Sequence, residues 1–278
     1  MIVVTGATGN VGRPLVQALT ATGEQVTAVS RRISADPTSV GTVRAFQADL
    51  AEPESLKPAL DGAEAIFLLT SPGFLANGDL GDVMDVVRGA GVKRAVLLSS
   101  QGVGTQRHPS NLEDTVKQSG LEWTMLRPGN FDTNAFQWAE SVRTRRVIEA
   151  PFADVALPAV DPADIANVAA IVLREPGHTG ATYTLTGPEP ISPRGQATAI
   201  GQAIGEPVEF VELTHDQAKR RMLAFMPEPV ANSTLAILGT PTAAEQAVSP
   251  DAEHLLGRPA RTFAEWARTN AVAFGLTS

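Results

Sequence analysis

The chain has 278 residues, 43% hydrophobic and 19% charged, with a formal net charge of −8 and no cysteine. That size suits one large domain or a domain plus a small lobe. The acidic balance argues against nucleic acid or an anionic membrane as partner, since phosphate binding needs a basic face. Disulfides and thiolate chemistry are excluded, and the four histidines are too scattered for a metal site.

The chain opens MIVVTGATG, with no basic leader and no apolar run of membrane-spanning length, so a cytoplasmic location is expected. Short apolar runs at 1–6, 25–30, 43–49, 64–70, 94–100 and 122–128 predict strands. Most are continuous in Val, Ile and Leu, as a parallel strand covered on both faces requires. Helices are expected near 11–22, 53–60, 79–90 and 111–119, with Asp79 or Gly78 capping the third and Ser110 or Asn111 the fourth. Strand alternating with helix implies βαβ units and a doubly wound α/β sheet.

After 128 the rhythm changes. An aromatic-bearing stretch, 130-NFDTNAFQWAE-140, is followed by an Arg-rich one, 143-RTRRV-147. Residues 161–176 read as a helix with Asp161 before it and Pro162 in its first turn. The run 181–187 predicts a strand that returns to the main sheet. Beyond 188 the chain mixes a helix near 192–204, a strand at 207–213 and helices near 214–224 and 262–272. The expected division is therefore 1–128, with 161–187 returning to it, against a smaller C-terminal α+β lobe of 129–160 and 188–278.

The first strand runs directly into Gly6-x-x-Gly9-x-x-Gly12 and then a helix. Gly6 allows the tight turn, Gly9 lets the backbone approach a pyrophosphate, and Gly12 lets helix and strand pack closely. The helix N-terminus then faces the phosphates. This context makes residues 1–128 a dinucleotide-binding Rossmann domain. The second strand ends in Ser30, Arg31 and Arg32, where an NAD site usually has a carboxylate. Guanidinium groups there can grip a 2′-phosphate, which favours NADP over NAD; the other reading is a pair of solvated surface arginines. Asp49 and Leu50 follow the third strand, with Asp49 either at the adenine edge or capping a helix.

The TGATGNVG opening, 28-AVSRR-32, 47-QADL-50, 96-VLLSS-100 and 119-SGLEWTMLRPGNF-131 together resemble the NmrA-like atypical short-chain dehydrogenase/reductases. The resemblance continues through 160-VDPADIANVAAIVL-173 and 178-HTGATYTLTGPE-189, and is loose beyond about residue 190. It implies a nucleotide cleft between a Rossmann domain and a small lobe. Carried over by position, Gly6, Thr8, Gly9, Asn10, Val11 and Gly12 line the pyrophosphate and Arg31 meets the 2′-phosphate. Leu69, Thr70 and Ser71 flank the ribose. Ser99 and Ser100 face the nicotinamide, with Pro128, Gly129 and Asn130 nearby. The family includes quinone reductases, aromatic-alcohol reductases, redox-sensing regulators and tailoring proteins of aromatic polyketide pathways.

The wider superfamily uses Tyr-x-x-x-Lys, in which the tyrosine moves the proton that accompanies hydride transfer. This chain has one tyrosine, Tyr183, far from that position. One register puts Glu113 and Lys117 there, which at i and i+4 of a helix read as a surface ion pair. Another falls near Thr105 and Pro109. His108 is the remaining candidate acid, the alternative being an exposed loop histidine. Phe131, Phe136 and Trp138, with Asn130, suit a flat aromatic ligand or else form the core of the small lobe. Phe225 and Met226 are candidates for the opposite wall. The leading expectation is an NADP(H)-dependent oxidoreductase, monomeric or homodimeric, that reduces a quinone or related aromatic carbonyl. The alternatives are a polyketide-tailoring oxygenase acting on a hydroquinone and a non-catalytic NADP-binding redox sensor.

Overall fold

A computed structural model describes residues 1–33 and 42–275. Seven parallel strands form the main sheet: β1 (Ile2–Thr5), β2 (Val26–Ser30), β3 (Val43–Gln47), β4 (Ala65–Leu68), β5 (Arg94–Leu98), β6 (Glu122–Pro128) and, after β7 (Val147–Ala150), β8 (Ala181–Leu185). Their order is β3-β2-β1-β4-β5-β6-β8. β1 and β4 are buried at every position, as central parallel strands must be. The order reverses between β1 and β4. Such a switch point opens a crevice at the carboxyl ends of the strands, where doubly wound sheets bind nucleotides.

Helices cover both faces. Gly12–Ala21 and Pro162–Arg174 lie on one, where Leu15 and Leu19 share a core with Ile165, Ala166, Ala169 and Val172. Leu80–Gly89 and Asn111–Gln118 lie on the other, where Val83, Val87 and Val116 pack on Ile66, Leu97 and Met125. Asp79 caps the first of that pair through Gly81 N at 2.7 Å, and Asp161 caps Pro162–Arg174 through Ala163 N at 2.8 Å.

A second, two-stranded parallel sheet joins β7 to β9 (Glu209–Glu212). Its core gathers Ile148, Ile200, Phe263, Trp266 and Phe274. The Arg-rich stretch resolves into the end of helix Ala139–Arg145, a left-handed Arg146 with φ of 57°, and then β7. Helices at Pro72–Asn77, Gln101–Gly104, Glu228–Gly239 and Asp251–Leu256 were not legible in the periodicity. The last of these departs from the expected small lobe. Ala252 and Ala260 join the main-sheet core, and Asp251 Oδ2 accepts from Thr184 N at 2.8 Å. Among the described residues, no helix is long and apolar enough to cross a membrane.

Candidate active site

The glycine loop is shaped by contacts that leave no room for side chains. Gly6 has a φ of +64°, a region that favours glycine. A Cβ on Gly12 would lie 2.2 Å from the Gly6 carbonyl oxygen, and one on Gly9 would lie 3.2 Å from the same atom. The loop is thus a bare backbone cradle that opens a helix at the switch point, which fits a dinucleotide pyrophosphate. Val11 is wholly buried in the sheet core, so only its backbone can serve that cradle. Asn10 Nδ2 donates to Thr133 Oγ1 at 2.9 Å and ties the cradle to the segment after β6. Leu69 packs on Gly6, and its N–H donates to Thr5 Oγ1 at 2.8 Å. Ser71 caps the helix Pro72–Asn77 through Phe74 N at 3.2 Å.

At the end of β2, Arg31 and Arg32 are exposed. Thr8 Oγ1 and Ser30 Oγ are hydrogen-bonded at 2.9 Å, which joins the glycine loop to this corner. Arg13, passed over in the sequence, brings a third guanidinium, with Nη2 donating to Thr8 O at 3.2 Å. Only its place just inside the helix could have signalled it. At the next strand, Asp49 Oδ1 accepts from Ala51 N at 3.1 Å and fixes a turn. The Leu50 side chain is buried in the sheet core, so only its backbone can meet a nucleotide.

The expected nicotinamide end holds the largest revision. Glu113 and Lys117 do pair, at 3.2 Å, but not on the surface: the Glu113 side chain is 1% exposed. Its main partner is Arg127 on β6, whose Nε and Nη2 donate to Oε1 and Oε2 at 2.8 and 2.7 Å. Ser99 Oγ donates to Oε1 at 2.6 Å. Burial pushes the Glu113 pKa up, but hydrogen bonds from Arg127, Ser99 and Lys117 outweigh it and hold it at about 2. Glu113 sits at the tyrosine position of one register, yet it is a fixed anion and cannot give a proton near neutral pH. Ser99 is correspondingly a strut whose hydroxyl proton is committed to Glu113.

Ser100 differs from its neighbour. Its Oγ lies 3.1 Å from His108 Nδ1 and accepts from Gly102 N at 3.1 Å. Ser100, His108, Pro128, Gly129 and Asn130 line one recess at the carboxyl ends of β5 and β6. Gly102 makes this possible, because a Cβ there would lie 2.5 Å from His108 Nδ1. The loop is pinned from the far side of the chain. Glu245, buried, accepts from Thr105 Oγ1 at 2.9 Å and Arg107 Nε at 3.2 Å, and Gln101 Nε2 donates to Ala244 O.

Next to the recess lies a cavity of about 630 Å³, and Asn130 and Leu157 line both. Phe131, Trp138, Phe152, Phe225 and Met226 are in its wall. Phe136 is not among the lining residues. Its ring packs on Trp266 at 5.0 Å and Phe274 at 5.8 Å, because the 3₁₀ turn Asp132–Trp138 directs it to the small-sheet core. Asp132 begins that turn and is fully buried. Neither carboxyl oxygen has a hydrogen-bond partner among the described residues. Burial, then Asp161 and Asp164, push its pKa up to about 8.

Residues 6–176 match the NAD(P)H-binding family. A (4-alkanoyl-5-oxo-2,5-dihydrofuran-3-yl)methyl phosphate reductase of Streptomyces griseus is 36% identical, over 99% of both chains. An NAD(P)H azoreductase of Xenophilus azovorans is 32% identical, again over 99% of both. The crystal structure of an Escherichia coli NADPH-dependent quinone oxidoreductase complexed with NADPH superposes with a TM-score of 0.82 at 25% identity, covering 97% of this chain and 99% of that one. The expected fold class and cofactor therefore stand: the protein is an NAD(P)H-dependent oxidoreductase, and the chain belongs to the NAD(P)H-binding family.

Proposed function

We propose that the protein reduces a flat, conjugated, electron-poor acceptor, with a quinone as the type case, and prefers NADPH. The relatives' names cover a butenolide ester, azo compounds and quinones, which share a conjugated system able to spread incoming charge. The carrying observation is the Ser100–His108 pair, which lines a recess that adjoins an aromatic-walled cavity.

The bound dinucleotide supplies hydride. The chain supplies position and a proton. The backbone of Gly6, Gly9 and Gly12 holds the pyrophosphate, and Arg31, Arg32 and Arg13 meet the 2′-phosphate. Phe131 and Trp138 hold the acceptor plane, and the apolar wall excludes water from it. The Ser100 hydroxyl donates to the oxygen on which charge develops, and His108 reloads Ser100 from solvent, to which the imidazole is exposed. A quinone tolerates the missing tyrosine because the ring spreads the charge, so protonation can be late.

Purified protein should oxidise NADPH when mixed with a small panel of quinones, with loss of quinone matched to loss of NADPH. No oxidation with any of them sinks the reading. The His108→Ala variant should lose about a hundredfold in kcat and recover part of it with added imidazole.

A further inference from the structure

The acceptor cavity leads away from His108 as well as toward it. It shares Asn130 and Leu157 with the Ser100–His108 recess, and Glu149, Leu213 and Arg221 with a groove beyond. Recess and groove have no lining residue in common, and the cavity adjoins each at a different part of its wall. The near end is neutral or aromatic, whereas the far end is charged.

Among the described residues, the charged side chains lining the cavity are Arg145, Arg221 and Glu149. Arg145 Nη2 donates to Glu149 Oε2 at 3.1 Å, and Arg221 Nη2 to Oε1 at 3.0 Å. Hydrogen bonds from Arg221 and then Arg145 hold the Glu149 pKa down, so the carboxylate is ionised. Two cations against one anion leave a surplus of positive charge at this end of a cavity, in a chain whose net charge is −8. Each guanidinium carries five N–H groups and gives Glu149 only one of these bonds. The remaining donors and the surplus charge suit an oxyanion.

We propose that this end is a subsite for an anionic substituent of the acceptor: a sulfonate, carboxylate or phosphate remote from the ring that is reduced. Glu149 is then an internal competitor that holds the two guanidinium groups in place until the substituent arrives. The inference rests on the reading of the cavity as the acceptor site.

The test is calorimetric binding of anthraquinone sulfonate and of the matched neutral sulfonamide to protein loaded with NADP⁺, where no turnover occurs. The sulfonate should bind roughly tenfold more tightly at low salt, and the advantage should shrink as salt screens the charges. Arg221→Ala and Arg145→Ala should each remove about three- to fivefold of the sulfonate's advantage and leave the sulfonamide unchanged. Glu149→Gln should act in the opposite direction and tighten the sulfonate alone, which a merely structural role would not do. Equal binding of the two ligands, or a Glu149→Gln variant that fails to favour the sulfonate, overturns this proposal and leaves the reductase reading intact. Inorganic sulfate binding as tightly as the sulfonate overturns it too, as a site for free anions. Binding of neither ligand to protein that still takes up NADP⁺ overturns both.

Discussion

Two buried carboxylates within one chain end in opposite states. Glu113, under the Ser99 strut, is ionised with a pKa of about 2, whereas Asp132, next to Phe131 of the aromatic cavity wall, is pushed to about 8. Burial raises both. The difference is donors: Glu113 receives hydrogen bonds from Arg127, Ser99 and Lys117, while Asp132 has none among the described residues and feels the charges of Asp161 and Asp164. Burial alone therefore does not say what a carboxyl group will do. The Glu113 cluster fixes the carboxyl ends of β5 and β6, where Ser100 follows. Asp132 is a carboxyl kept neutral near physiological pH.

The contrast is broken most strongly at Arg127. Arg127→Met leaves Glu113 buried without its bidentate partner and should cost about 3–5 kcal/mol of stability, read from denaturant unfolding. Adding Glu113→Leu to that variant should restore much of the loss, since a buried pair replaced by apolar groups is often neutral. Gly102→Ala tests how far the geometry reaches the site. The added Cβ displaces the His108 ring, and kcat should fall about tenfold or more while NADPH binding, measured by fluorescence, is retained.

Asp132 sharpens the comparison from the other side. Between pH of about 4 and 8 the folded carboxyl keeps its proton while the unfolded one has lost it, so stability falls as pH rises through this window. Asp132→Asn removes the titration. The variant should therefore gain about 1–3 kcal/mol over the parent at pH 9 and little at pH 4, measured by thermal unfolding at both. The smallest effect is expected at the exposed cofactor corner. Arg31→Ala should weaken NADPH roughly tenfold and leave NADH unchanged in direct titration.

The fold and the glycine cradle were legible because both are local: Gly6, Gly9 and Gly12 act on each other within a single turn and carry their reason in their spacing. The parallel strands followed from continuous apolar runs. Glu113 was misread because its i,i+4 lysine is visible in sequence and its stronger partner, Arg127, arrives from β6. Phe136 was misplaced because an aromatic in a 3₁₀ turn gives no periodic signal of which way it faces. Asp132 lay unnoticed between two residues that had been singled out, since a buried carboxyl without partners has no signature in sequence. Arg145 and Arg221 meet only through Glu149, across 76 positions of chain.

The central claim is that a hydride acceptor is reduced without a tyrosine, with its proton coming through Ser100 and His108. The most direct measurement is single-turnover oxidation of bound NADPH by a quinone in parent and His108→Ala protein, with and without imidazole. The account predicts rapid oxidation in the parent, a fall of about a hundredfold in the variant and partial rescue by imidazole. Equal rates in the two proteins, or no oxidation in the parent, would contradict it.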